Sequence, residues 1–298
     1  MIYNVQQRTT NTLFTIDGEW HAPNWTPKGQ YIVSDMGGEL YRIPVSGSNA
    51  GKPEKINVSL RMMITNDHAL SWDGKQIAVT GITPPMPAKI RTPADIHNPL
   101  FLMKVDGTNT HEVHLGWLHG WSPDGKYVVY TQYHENNFDI YRISADGSGE
   151  LLMTTNSGQD DGPEYSADGK WVYLCSNRSG KWDGWRMPAG GAGPDDKLAE
   201  KITNGVDTQD WFPHISPDGQ WLYTISYPID HPVHTLHWGR HEDQATTPGK
   251  RRGRERRWTN YGEDLLWRPG LGQYGGWAPD SKRFAWTEYE TLPEHAGR

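Results

Sequence analysis

The sequence of 298 residues holds one cysteine, Cys175, and no apolar run that approaches the roughly 20 residues a membrane-spanning helix needs. A lone cysteine excludes a disulfide framework within the chain. Because Cys175 sits in the apolar run WVYLC, a buried, inert thiol is expected rather than a nucleophile. The opening stretch MIYNVQQRTT lacks the basic start and apolar core of a signal peptide, so a cytoplasmic location is expected, although a processed exported chain would read the same way. Positive charge is also in short supply: 29 Lys and Arg stand against 36 Asp and Glu, a net charge of -7. That balance sets aside nucleic acid and anionic membranes as partners. No G-x-S-x-G elbow, phosphate loop or dinucleotide fingerprint occurs, which argues against a serine hydrolase of that type and against a nucleotide cofactor.

Glycine, proline and large aromatics are abundant instead. Thirty-three Gly and 21 Pro interrupt the chain too often for long helices, while 15 Trp and 14 Tyr supply large rigid side chains for packing between sheets. An all-β architecture follows. One short unit recurs: WTPKGQ from Trp25, LSWDGK from Leu70, WSPDGK from Trp121, YSADGK from Tyr165, ISPDGQ from Ile215 and WAPDSK from Trp277. The six copies are spaced by 45, 51, 44, 50 and 62 residues, close to the period of a four-stranded propeller blade. In each turn Pro presets φ, Asp bonds its own backbone and Gly accepts a positive φ. Alternating or apolar runs such as KYVVYTQ and KWVYLCS follow as second strands. Third strands read as ELYRIPVSG, LFLMKVDG, FDIYRISADG and WDGWRMPAGG, and fourth strands as EKINV, HEVHL, ELLMTT and KLAEKIT.

The sixth copy stops after two strands, whereas the chain begins with two strand-like runs, IYNVQQ and TLFTID, that belong to no copy. Pairing them would complete the last blade and remove exposed sheet edges. The sequence therefore predicts one six-bladed β-propeller domain over residues 1–298. Its blades fall at about residues 20–60, 65–115, 117–155, 160–203, 208–268, and 272–290 with 1–17, and the strands between 237 and 267 are not placed.

The unit apolar-Ser-Pro-Asp-Gly-Lys, a strand, then D-I-Y-R-I-x-x-D-G and L-x-T resembles the PD40, or WD40-like, repeat of TolB-like six-bladed β-propellers. Residues 121–155 carry it most fully, as WSPDGKYVVYTQYHENNFDIYRISADGSGELLMTT. The resemblance implies the fold over nearly the whole chain. For function it implies several alternatives, because propellers of this type serve as binding modules, as gates before peptidases and as sugar-active lyases. A weaker similarity to oligogalacturonate-lyase-type propellers implies a His-rich manganese site in the channel.

Residues just before each turn should ring one mouth of the channel. Two positions before the anchor stand Pro23, His68, His119, Pro163, Pro213 and Gly275; one before it stand Asn24, Ala69, Gly120, Glu164, His214 and Gly276. On the functional reading His68, His119, His214 and Glu164 hold a divalent metal, Mn, Fe, Ni or Zn, or act as acid and base. His21, Asp67, Asp160, Asp161, Arg178, Asp210 and Trp211 would then contact a small ligand of the carbohydrate or sugar-acid class, with Arg178 holding a carboxylate. On the structural reading these side chains bond neighbouring backbone and channel water. Strand alternation adds that His214 would bond between blades while His68 and His119 face the ligand. Trp20, Trp117, Trp182 and Trp211 would either stack on sugar rings or fill interblade cores.

The chemistry implied is that of a metal-assisted lyase, hydrolase or epimerase; the alternative is a non-catalytic protein-interaction propeller resembling TolB. Three further features stand out. The Pro-rich insertion 82–98, with Arg91 and His97, reads as a lid or binding loop. The histidines of DHPVHTLH (His231, His234, His237) do not form a metal tripod, because Pro232 and the strand pattern disfavour a helix. GKRRGRERR at 249–257 reads as a solvated loop.

Overall fold

The computed structural model describes residues 1–16, 18, 20–83, 98–229, 255–260, 263–269 and 271–289. Its strands form six four-stranded sheets of antiparallel neighbours. Each sheet is one blade. The innermost strands are Trp20–Trp25, Met63–Leu70, Trp117–Trp121, Asp160–Tyr165, Thr208–Ile215 and Leu271–Trp277. Each touches the next, and the last touches the first, so the blades close a ring around a central channel.

The repeated turn works by side-chain bonds that the sequence unit encodes. In the third blade Ser122 Oγ donates to Asp124 Oδ1 at 2.7 Å, Asp124 Oδ1 accepts the Lys126 amide at 3.1 Å, and Ser122 Oγ accepts the Tyr127 amide at 2.9 Å. The same three bonds recur around Ser71, Ser166 and Ser216. Gly125 follows at φ 70°, a conformation that a side chain resists; Ser281 takes the equivalent place in the sixth copy at φ 56°. Between blades the aromatics pack as expected of core. Trp121, Leu100 and Tyr130 share one such cluster, and Trp211, Tyr223 and Phe284 another.

Ring closure uses the N-terminal strand. Ile2–Asn4 pairs with Arg283–Tyr289, and the Met1 ammonium donates to the Trp286 carbonyl at 2.9 Å. The second N-terminal strand is Thr9–Asn11, not the TLFTID run, because a tight turn capped by the Asn4 side chain returns the chain at once onto Ile2–Asn4. Leu13 from that run packs on the core instead.

The outer strands of the fifth blade, unplaced from sequence, are Glu255–Asn260 and Glu263–Pro269. The end of the basic run at 249–257 is therefore strand rather than loop, while residues 249–254 lie outside the described residues. Arg91, His97, His231, His234 and His237 also lie outside them. Among the described residues no helix is long and apolar enough to cross a membrane.

Candidate functional site: a channel wall of histidine and carboxylate pairs

Every innermost strand is interrupted by a bulge just before its anchor. The register slips between His21 and Asn24, Ile64 and His68, Leu118 and Gly120, Asp161 and Glu164, Trp211 and His214, and Gln273 and Gly275. A bulge breaks the strict alternation of faces, so residues on both sides of it reach the axis. In three blades it is built from a residue at positive φ followed by Pro: Ala22 (44°), Gly162 (64°) and Phe212 (48°). Pro has no amide to leave unpaired where the ladder breaks. The Phe212 conformation costs about 1–2 kcal/mol for a residue with a side chain. Its ring lies over Gly162, where a Cβ would fall 2.4 Å from Phe212 Cδ1, so that position accepts only glycine. The same ring lies near His119, with 6.1 Å between ring centres.

These strands enclose a cavity of about 380 Å³ whose wall includes Asp67, His68, His119, Glu164, Phe212 and His214. The titratable groups sort into three sets, each built across a blade boundary. In the first, buried Asp35 lies between His21 Nδ1 at 3.1 Å and His68 Nδ1 at 3.6 Å. His68 is buried, which pulls its pKa down toward the neutral form, and the Val33 and Asn66 carbonyls lie nearby without reaching hydrogen-bond geometry. In the second, His119 Nε2 is 3.2 Å from Asp161 Oδ1, which also accepts from Thr131 Oγ1 at 3.0 Å and the Gly162 amide at 2.8 Å. Burial opposes charge on both members. The contact with Asp161 and the charges of Asp67 and Glu164 nevertheless raise His119, and the bonds to Asp161 lower its carboxyl. In the third, His214 Nδ1 bonds Glu164 Oε2, and His214 Nε2 has no hydrogen-bond partner among the described residues.

Asp67 belongs to no pair. It receives one weak bond, from Thr65 Oγ1 at 3.3 Å, and no Lys, Arg or His stands at ion-pair distance among the described residues. Burial first, then the charges of Asp161 and Asp35, push its carboxyl up to about 6, against the pull of His119. Asp67 is half-buried, at the point where it opens onto the channel.

The structure thus brings His68, His119, Glu164, His214, Asp67 and Asp161 to one channel wall or directly behind it, with His21 one step further back. Asp160, Arg178, Asp210 and Trp211 point elsewhere. Arg178 bonds both oxygens of Asp160, at 3.0 and 3.1 Å, and pairs with Asp196 at 3.1 Å, so its guanidinium is saturated away from the channel. Asp210 accepts from Ser226 Oγ at 2.6 Å. Trp211 is buried and stacked on Trp182, their ring centres 3.9 Å apart. His214 does bond across a blade boundary, as alternation predicts, but the bulge also leaves it on the cavity wall. The residue missed from sequence is Asp35. Its one signal is an acid within the buried run YIVSDM, where the fourth and fifth blades place Cys175 and Ile225.

The expected cation does not fit this arrangement. His68, His119, His214 and Glu164 each turn toward a different neighbour. Among the described residues no three His, Cys, Asp or Glu side chains are grouped to hold a metal ion.

No family model matches the sequence. The uncharacterized protein Atu1656 of Agrobacterium fabrum is 31% identical over 233 residues, covering 77% of this chain and 73% of that protein. An Agrobacterium tumefaciens protein provisionally assigned as TolB superposes with a TM-score of 0.78 at 27% identity, over 97% of both chains. The chain belongs to the TolB-like β-propeller family. Likeness of fold alone extends to an oligogalacturonate lyase from Vibrio parahaemolyticus, at a TM-score of 0.54 and 11% identity over 90% of this chain and 71% of that one.

Proposed function

We propose that this TolB-like propeller binds a small polyhydroxylated molecule of the carbohydrate class in its channel and moves protons on it. The observation that carries the reading is the set of three His–carboxylate groupings, each spanning neighbouring blades and each placing a histidine on the cavity lining. Such groupings fix imidazole tautomer and orientation, which is what a general acid or base requires. His119, raised by Asp161, is the acid: below its pKa the imidazolium donates a proton to a hydroxyl or leaving oxygen. His214, whose Nδ1 is held by Glu164, is the other lining histidine and orients the bound molecule. The Phe212 ring lines the cavity beside His119 and adds apolar surface for the ligand. The cytoplasm is the location we propose for this activity.

Calorimetric titration with a panel of neutral mono- and oligosaccharides tests the proposal. A sugar that binds the wild type should bind His119→Ala and His214→Ala at least tenfold more weakly, and any turnover should fall as pH rises through the His119 pKa. Binding that is indifferent to both substitutions would remove the channel from the account.

A non-catalytic protein-interaction role is the second reading. It is favoured by the match to the TolB-assigned structure over 97% of both chains, and by exposed Val206 and Ile229, linked through the Ile229 amide and the Asp207 carbonyl at 2.8 Å. It forecasts that Val206→Asp impairs function while the channel histidines are dispensable.

A further inference from the structure

We propose that the ligand of this channel carries a primary ammonium group, seated against Asp67, so that the site selects an amino sugar over a sugar acid. The inference rests on the channel being the ligand site. Of the two classes to which the sequence pointed, carbohydrate or sugar acid, it departs from the second, and it follows from the signs of the charges on the wall.

The described lining contains Asp67 and Glu164 but no Lys or Arg. Arg178, the residue expected to hold a ligand carboxylate, is held by Asp160 and Asp196 instead. An anionic ligand entering here would lose its hydration and meet two carboxylates, and the His119 imidazolium that could answer it is already held by Asp161, which is a costly arrangement for a buried ion. A cation meets the reverse. Glu164 is already committed to His214, and Asp161 to His119, Thr131 and the Gly162 amide.

Asp67 retains acceptor capacity. A carboxylate offers about four lone-pair sites, and Asp67 uses one weakly, on Thr65. Burial raises the Asp67 carboxyl to about 6, yet it remains largely ionised at pH 7, and an arriving ammonium would relieve that strain. The lining also includes the aromatic residues Phe212, Trp72 and Trp277, a surrounding that a cation tolerates better than an anion does. A primary ammonium, with three donors, suits a carboxylate more specifically than a quaternary group would.

The test compares D-glucosamine, N-acetyl-D-glucosamine and D-glucuronate by isothermal titration at pH 7, on the full chain and on Asp67→Asn. Glucosamine is expected to bind at least tenfold more tightly than N-acetylglucosamine, whose amide carries no charge, and glucuronate most weakly. In Asp67→Asn the preference for glucosamine over N-acetylglucosamine should fall to within about twofold. Lowering the pH from 7 to 5 should weaken glucosamine binding to the wild type as Asp67 takes up a proton. Equal affinity for the two hexosamines, tighter binding of glucuronate, or a preference that survives Asp67→Asn would overturn the ammonium proposal while leaving the channel site intact. Absence of binding by all three sugars and by the neutral panel would overturn both. A melting curve of Asp67→Asn guards against misfolding, and Thr65→Val, which removes only the weak bond, should keep the preference.

Discussion

Asp160 and Asp161 are adjacent in the chain and serve opposite ends. The Asp160 carboxylate is fully buried between blades, bonded by Arg178 and by Asn156 Nδ2 at 2.8 Å, in a network that also holds Asp196. Asp161 stands behind the channel lining and holds His119, which is part of it. Adjacent residues on a strand point to opposite faces, so a single peptide unit separates a structural ion pair from a candidate catalytic one. The two networks also differ in how charge is balanced. Around Arg178 two carboxylates, Asp160 and Asp196, share one guanidinium, and burial together with their charges pushes nearby Asp139 up to about 7. In the channel the histidines do the balancing, and their charge changes with pH. The first network holds a shape, whereas the second can exchange protons with something that enters.

Breaking the structural side should have the largest effect. Asp160→Ala leaves Arg178 buried with Asp196 as its remaining carboxylate, and should lower stability in urea by about 3 kcal/mol while ligand affinity at the channel is retained.

Asp67→Asn should move the other way. The folded pKa of Asp67 lies above its unfolded value, so the folded state binds the proton more tightly; relative stability is fully present below about pH 4 and is lost as pH rises through about 6. Removing the charge at pH 7 should therefore raise stability by about 1–2 kcal/mol, less than the full shift implies because channel water screens the group. The gain should vanish at pH 4, as read from melting temperatures at the two values.

Asp161→Asn sits between these. The amide oxygen can still accept from Thr131 and Gly162, so stability should fall by about 1 kcal/mol or less. The His119 pKa should drop toward or below its ordinary value, which NMR titration of its ring protons would read directly. An unchanged His119 titration would mean that Asp161 is merely structural, like its neighbour.

The smallest effect is expected at the turns. Lys170→Ala removes an exposed pair with Asp168 and should change stability by no more than about 0.5 kcal/mol, because water screens such pairs.

Much of the scaffold was legible because its signals are local. Ser122, Asp124 and Gly125 bond and bend within six residues, and five other places repeat the pattern or a close variant, so periodicity alone fixed the blades. Half of the site was legible for the same reason, since His68, His119, Glu164 and His214 sit at fixed offsets from the anchors. Arg178 and Trp211 were misjudged because proximity to a mouth in sequence says nothing of which side of a strand a residue occupies. Asp35 was missed because it lies on a second strand, where no offset rule applied and only its contacts with His21 and His68 give it meaning.

The sequence by itself determined a six-fold array of four-stranded units and its closure by the N-terminal strand, because turn chemistry and strand alternation act over a few residues. Only the tertiary structure decided which carboxylate meets which histidine. Those pairs form between blades, after a bulge has reset the face of each inner strand, and their partners lie 33 to 50 residues apart in the chain. The charge of the channel, and with it the kind of ligand the channel favours, is a property of the closed ring.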